Sequence, residues 1–227
     1  MCGRFTLRSP AAAVAEQFAL PEVPPLAPRF NIAPSQPVAV VRLAPNTPQP
    51  RRELVLLRWG LIPAWAKDPA VGNRMINARA ETAAEKPAYR VAFRQRRCLL
   101  PADGFYEWQG AGRRKQPYFI HFRDDRLFAF AGLWESWQGA DGSYIESCSL
   151  LTTEPNELLR PIHNRMPVIL APNSYGPWLD PTAPADTLAP LTPPYPADEM
   201  AAEPIGTRVN NPARDDPQCI EPQRDLF

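Results

Sequence analysis

The chain has no apolar run approaching the roughly 18 residues of a membrane-spanning helix, so no segment is expected to cross a bilayer that way. Its N-terminus does not pair a basic start with an apolar stretch and a small-residue cleavage site, and no signal peptide is expected. Cysteine is sparse. Cys2, Cys98, Cys148 and Cys219 stand far apart with no C-x-x-C pair, which argues against both a disulfide framework and a zinc ribbon and for a reducing, cytosolic location. With only two histidines as well, no metal or other cofactor is expected. Net charge is nearly absent at +1 and by itself names no partner. There is no internal repeat and no clean domain boundary within 1–227.

What is abundant is proline, thirty in 227 residues, more than twice the usual ~5%, so short strands and ordered loops should dominate. The best helix is "AAAVAEQFAL" (11–20), with Ser9 as N-cap, Pro10 at the first helical position and Pro21 as its stop. "QPVAVVRL" (36–43) and "RELVLLRWG" (52–60) read as strands around a proline-rich turn. Helical stretches interrupted at Pro87 are expected in 79–98. "CLLPADGFYEWQ" and "PYFIHF" flank "GAGRRK" as a hairpin with a basic loop, and "LFAFAGLWESW" and "SYIESCSLLTT" form a second hairpin around "QGADG". "MPVIL" (166–170) is a short buried strand and "SYGPWL" a short helix at most. One mixed domain built on a curved antiparallel sheet is the economical architecture, with about 205–227 as a loosely ordered tail.

Charge is placed unevenly. Residues 1–115 hold 18 Lys and Arg against 8 Asp and Glu, a surplus of ten, while residues 116–227 hold 7 against 16. A basic surface for nucleic acid would produce that asymmetry, and so would two halves that neutralise each other across one fold.

Cys2 raises a chemical question of its own. Once Met1 is removed, it carries a free α-amine and a thiol on adjacent carbons, a pair no internal residue can offer. An α-amine titrates at about 7.7–8.0 and a lysine at about 10.4, so near neutrality the terminal amine is the better nucleophile for an aldehyde. The thiol of the same residue would then close a five-membered ring at high effective concentration. Other polar residues stand in apolar settings. Glu107 lies in "GFYEW", where burial would raise its pKa and suit it to acid–base work; strand alternation would equally turn it to solvent, opposite Tyr106 and Trp108. His163 titrates near neutrality and is either a proton donor or a structural histidine; His121, in an alternating strand, reads as structural. Asn77 offers a donor and an acceptor to orient a reacting group, or caps a turn. Arg4, Arg79 and Arg165 each stand two residues beyond Cys2, Asn77 and His163, and arginine forks suit phosphate oxygens.

The set "CGRF", "RFNIAPSQ", "WGLIPAW", "INARAET", "PADGFYEW", "IHNRMP" and "VNNP", in that order over most of the chain, resembles the SRAP family, proteins that crosslink themselves to abasic sites in DNA. The resemblance implies an α+β fold, a curved, mostly antiparallel β pseudo-barrel with a few short helices, and a groove for single-stranded DNA. It further implies that Met1 is removed and that Cys2 captures the ring-opened abasic aldehyde as a stable thiazolidine, with Asn77, Glu107 and His163 completing the catalytic set. Arg4, Arg79 and Arg165 would meet DNA, and Pro34 and Trp65 would sit against its bases. For Trp65 core packing is the alternative, and Trp59 is assigned to the core outright. Where some relatives carry a second aromatic after Trp65 this chain has Ala66, and where some carry an arginine near position 87 it has Pro87 after Lys86. The expected partner is single-stranded DNA containing abasic sites, bound by a monomer.

Other classes remain open on sequence. An N-terminal-nucleophile hydrolase with autoproteolytic activity would also use residue 2 and its own amine. A non-covalent single-strand-binding module would need the arginines and aromatics without the amine. A zinc deaminase ranks last, since the Cys and His residues lack ligand spacing.

Overall fold

The computed structural model describes residues 2–45, 47, 50–110 and 115–223. Thirteen strands follow in chain order among these described residues. The first six are β1 (Phe5–Leu7), β2 (Arg29–Ile32), β3 (Pro37–Leu43), β4 (Arg52–Trp59), β5 (Asn77–Arg79) and β6 (Arg97–Ala102). Then come β7 (Gly104–Gln109), β8 (Gln116–Phe122), β9 (Phe128–Gln138), β10 (Tyr144–Thr153), β11 (Met166–Pro167), β12 (Ile169–Leu170) and β13 (Met200–Pro204). The five α-helices among the described residues are short: α1 (Ala11–Phe18), α2 (Ala80–Ala83), α3 (Arg90–Gln95), α4 (Tyr175–Leu179) and α5 (Ala185–Leu188).

The expected hairpins form. β3 pairs antiparallel with β4, β7 with β8, and β9 with β10, while the "GAGRRK" loop lies largely outside the described residues. Non-local pairings close the structure. β6 joins β3 to β9, and β10 lies parallel to β4 in the register Ser147↔Arg58. The ring β3-β4-β10-β9-β6 is thus a closed five-stranded barrel, as the pseudo-barrel expectation requires. A second sheet, β13-β8-β7-β1-β2, covers it.

Large buried side chains fill the space between these layers. Phe5 packs edge-on against Trp59 and Phe130, with ring centroids 5.2 and 5.7 Å apart, and burying one such ring contributes about 2–3 kcal/mol. On the other face of the second sheet a smaller core gathers Tyr106, Phe119, Ile205, Val209 and Cys219. All four cysteines are free and buried, and no helix among the described residues is long and apolar enough to cross a membrane.

Two details of α1 differ from the sequence expectation. Ser9 does not cap α1: its amide and hydroxyl both donate to the Asp103 carboxylate, at 2.8 and 3.0 Å, and Pro10 takes the cap position with no side-chain bond. The helix also stops at Phe18, ahead of Pro21, because Ala19 turns left-handed at φ 50° and Arg52 donates to the Phe18 carbonyl at 3.0 Å. Residues 205–223, expected as a tail, pack. Asn31 donates from Nδ2 to the carbonyls of Val209, Asn211 and Arg214, and the Phe30 and Asn31 amides both donate to Asp215.

Candidate active site

The N-terminal segment is held by a buried carboxylate. Asp103, 1% exposed, accepts from the Thr6 hydroxyl, the Arg8 amide and guanidinium, and Ser9. An unsatisfied group there would cost ~1–3 kcal/mol or more, so these bonds fix the path of β1. Ladder pairing then places residue 2. Phe5 opposes Phe105, Thr6 opposes Gly104, and the Tyr106 amide donates to the Arg4 carbonyl at 3.0 Å. Continued by one step, that register sets Glu107 opposite Gly3, beside Cys2.

Cys2 is fully buried in the main core, its Sγ 3.7 Å from the Arg4 carbonyl. Burial pushes the thiol well above its ordinary pKa, and the Glu107 charge adds to the effect. Glu107 is 2% exposed. Alternation does hold along β7, but Tyr106 meets the smaller core on one face while Phe105 and Glu107 look into the main body on the other. Neither face reaches solvent here, and burial raises the Glu107 carboxyl to about 7.

Asn77 opens β5, which runs parallel to β10 with Leu150 opposite Asn77. The Trp59 indole donates to the preceding Ile76 carbonyl at 2.9 Å, and the Tyr89 hydroxyl to the Asn77 carbonyl at 3.2 Å. From this anchored backbone, Asn77 Nδ2 donates to the Cys2 carbonyl at 2.8 Å. Its Oδ1 is buried with no hydrogen-bond partner among the described residues, which leaves an acceptor beside residue 2.

His163 follows a turn in which its amide donates to the Leu159 carbonyl at 2.8 Å. Gln109, at the end of β7, donates to the Pro161 carbonyl at 3.0 Å and ties that turn to the strand bearing Glu107. The Arg165 amide lies 3.0 Å from His163 Nδ1. Half-burial lowers the imidazole pKa, so the ring is mainly neutral at pH 7. The Lys115 charge acts on both His163 and Glu107, which places the two groups in one neighbourhood.

The three arginines have different fates. Arg4 is partly buried and already engaged: its Nη1 donates to Asn31 Oδ1 at 2.9 Å and the Val209 carbonyl at 2.6 Å. That bond gives the "VNNP" stretch its place in the architecture. Arg165 is engaged bidentately by Glu81, at 2.6 and 2.8 Å. Arg79 is exposed and makes no side-chain hydrogen bond among the described residues, although the Glu81 charge lies close enough to interact.

Arg79 lines an open groove with Trp65, Asn77, Thr82, Lys86 and Tyr89. Trp65 is 66% exposed, so it is not a core residue, whereas Trp59 is fully buried. The turn displaying Trp65 is anchored by buried Leu61 and Ile62 and by the Trp137 indole, which donates to the Ala66 carbonyl at 2.7 Å. Beneath it the chain runs close to itself. Gly60, at φ 132°, would bring an added Cβ to 2.4 Å from the Gly72 carbonyl oxygen, so only glycine fits. Pro34 is half-buried in the turn before β3, next to Ser35, whose hydroxyl shares Asn73 Oδ1 with Arg58.

The structure therefore gathers Cys2, Asn77 and Glu107, with His163 on the adjoining turn and Arg79 and Trp65 along a groove that Asn77 also lines. The sequence model of the SOS response associated peptidase (SRAP) family matches residues 1–212. The chain belongs to that family. Over 227 residues it is 44% identical to the abasic site processing protein YoqW of Bacillus subtilis (strain 168), covering 97% of this chain and 99% of that one. It is 33% identical to the abasic site processing protein HMCES of Xenopus tropicalis over 74% of this chain and 57% of that one. A crystal structure of a protein from Bacteroides thetaiotaomicron superposes with a TM-score of 0.87 at 26% identity, covering 98% of this chain and all of the other.

Sequence reasoning about this SRAP chain missed four supporting residues: Asp103, Asn31, Tyr89 and Lys115. The partners of each lie in distant segments of the chain, so their roles are not written in the local sequence. Asp103 alone had a visible signal, a carboxylate inside the apolar "CLLPADGF". Among the described residues no group of three or more His, Cys, Asp and Glu could hold a metal ion.

Proposed function

We propose that this protein processes abasic sites in single-stranded DNA by joining itself to them through Cys2, as a monomer in the cytoplasm. Met1 must leave first, since only then does residue 2 own an amine. The amine adds to the ring-opened sugar aldehyde to give a carbinolamine, which loses water to form an iminium ion. The thiol then attacks the iminium carbon. A carbon–sulfur bond forms, the S–H proton passes to the Glu107 carboxylate, and a neutral thiazolidine results with one water released overall.

The observation that carries this reading is the meeting of Cys2, Asn77 and a buried glutamate whose pKa is raised to about 7. A carboxyl titrating there is present in both forms at neutral pH. It can therefore protonate the departing hydroxyl of the carbinolamine and later accept the thiol proton. Asn77, bonded to the Cys2 carbonyl, orients the residue that reacts. His163 gives a proton to the sugar ring oxygen from its imidazolium form, the minority form at pH 7, and recovers one from the anomeric hydroxyl as the ring opens. Arg79 receives a backbone phosphate, and Trp65 and Pro34 offer surfaces for bases at a gap where the lesion enters.

Burial also separates this chemistry from amide hydrolysis. A thiol held well above its ordinary pKa provides almost no thiolate to attack a peptide, whereas the condensation begins at the amine and needs sulfur only to close the ring.

The test is to incubate the mature protein with single-stranded DNA bearing one abasic site and look for a heat-stable shifted band on a denaturing gel. Protein with a blocked N-terminus and intact DNA should both give none. Equal crosslinking by the blocked protein would rule out the Cys2 amine.

A further inference from the structure

Of the three arginines that follow site residues, Arg165 already holds an anion in its fork. Nη1 meets Glu81 Oε1 at 2.6 Å and Nη2 meets Oε2 at 2.8 Å, while Nη2 also donates to the Thr152 carbonyl at 2.6 Å. The two partners are unequally free to move. The Arg165 side chain is 17% exposed and fixed from behind by that carbonyl, whereas Glu81 is 49% exposed at the start of α2. Opening this pair therefore means that Glu81 rotates into water while the guanidinium stays in place.

The location matters as much as the mobility. Glu81 stands two residues beyond Arg79, whose partner across the ladder is Thr152, the residue whose carbonyl Arg165 grips. Arg79 and Arg165 thus flank one short stretch of surface with Glu81 between them. Carboxylate and phosphate oxygens present the same bidentate geometry to a guanidinium. We propose that Glu81 is a specificity-determining residue: it occupies the anion seat of Arg165 in the free protein, and a backbone phosphate of the bound strand takes that seat when Glu81 swings out.

This inference rests on the single-strand reading of the site. Its consequence is selective. Every strand must displace Glu81, so reversible binding of intact DNA is held weak. A strand carrying an abasic aldehyde is retained by its covalent bond instead.

The experiment compares wild-type mature protein with Glu81→Gln, Glu81→Asp and Glu85→Gln by fluorescence anisotropy on a labelled intact single strand, alongside the abasic crosslinking gel. Glu85→Gln removes one charge from the same exposed region without touching Arg165. Glu81→Asp keeps the charge but shortens the reach, and folding of each variant is checked by its melting curve. Both Glu81 variants should bind intact DNA about three- to tenfold more tightly than wild type, beyond any gain in Glu85→Gln. Their log K against log salt should keep the wild-type slope to well within the ~0.7 of one phosphate contact on a single strand, because the same contact to Arg165 forms once Glu81 has left. In an Arg165→Gln background the gain should vanish.

Glu81 variants that bind no more tightly than Glu85→Gln, or a gain that survives Arg165→Gln, would overturn the proposal while leaving the crosslinking reading intact. Unchanged binding with slower crosslinking at saturating DNA would also overturn it, since Glu81 would then be a support for the His163 turn. A wild type that neither binds nor crosslinks any single strand would remove both readings.

Discussion

Replacing Glu107 by Gln should make the protein more tolerant of alkaline conditions while disabling it. In the folded chain burial holds this carboxyl at about 7, against an ordinary value of 4.5. Between those two pH values the folded state keeps a proton that the unfolded state has released, so stability falls as pH rises through that window and levels off above it. Integrating the two titrations gives a loss of about 2.5 kcal/mol from pH 5 to pH 8 attributable to this group. Gln cannot ionise and escapes that loss. The assay is urea unfolding of the 227-residue chain and its Glu107→Gln variant at pH 5 and pH 8. Taking the difference between the proteins cancels most contributions from groups common to both. The variant should gain about 2.5 kcal/mol relative to wild type on going from pH 5 to pH 8, whatever its offset at pH 5. The same variant should crosslink about 10- to 1,000-fold more slowly if Glu107 moves protons in the reaction. A stability difference that stays constant across this range would mean that Glu107 titrates normally, and the acid–base role would lose its physical basis.

Much of the fold was legible because its local units announce themselves. β3 with β4 and β9 with β10 are apolar runs around Pro-rich or Gly-containing turns, and they pair as their sequences suggest. What closes the barrel is not local. The parallel contact of β10 with β4 joins segments nearly ninety residues apart, and nothing in either run specifies that neighbour. The same limit applies within the site. Cys2 can be singled out because its chemistry depends on chain position alone, but the burial of Glu107 cannot be read from alternation, since β7 lies between two cores. Ser9 has a capping sequence around it, yet its amide and hydroxyl donate to the buried Asp103 carboxylate and Pro10 takes the cap position. Arg4 and Arg79 look alike in the sequence. The first is drawn inward by Asn31 and the Val209 carbonyl, groups remote in the chain, and the second is left on the surface.

Trp65→Ala should leave stability within about 0.5 kcal/mol, because the ring is exposed, yet weaken single-strand binding by about 1–3 kcal/mol if a base stacks on it; unfolding curves and anisotropy check the two halves. Asp103→Ala should destabilise by about 3 kcal/mol or more, since the Thr6, Arg8 and Ser9 donors lose a buried acceptor, measured by urea unfolding. The paired substitutions Arg4→Ala and Arg79→Ala decide whether the spacing of arginines in the sequence or their placement in the fold governs their roles. If placement governs, Arg79→Ala weakens binding to intact and abasic strands alike and flattens the salt dependence by about 0.7 in the log–log slope, with an unchanged melting curve. Arg4→Ala instead leaves Asn31 Oδ1 without its Arg4 donor and the Val209 carbonyl with only Asn31 Nδ2, at a cost of about 1–3 kcal/mol in stability. Its salt slope should match wild type, because a guanidinium bonded to Asn31 and a backbone carbonyl inside the protein releases no counterions from DNA. Equal flattening of the slope by both substitutions, with both proteins fully stable, would show that Arg4 reaches phosphate in the complex and that its bonds to Asn31 and Val209 open when DNA binds.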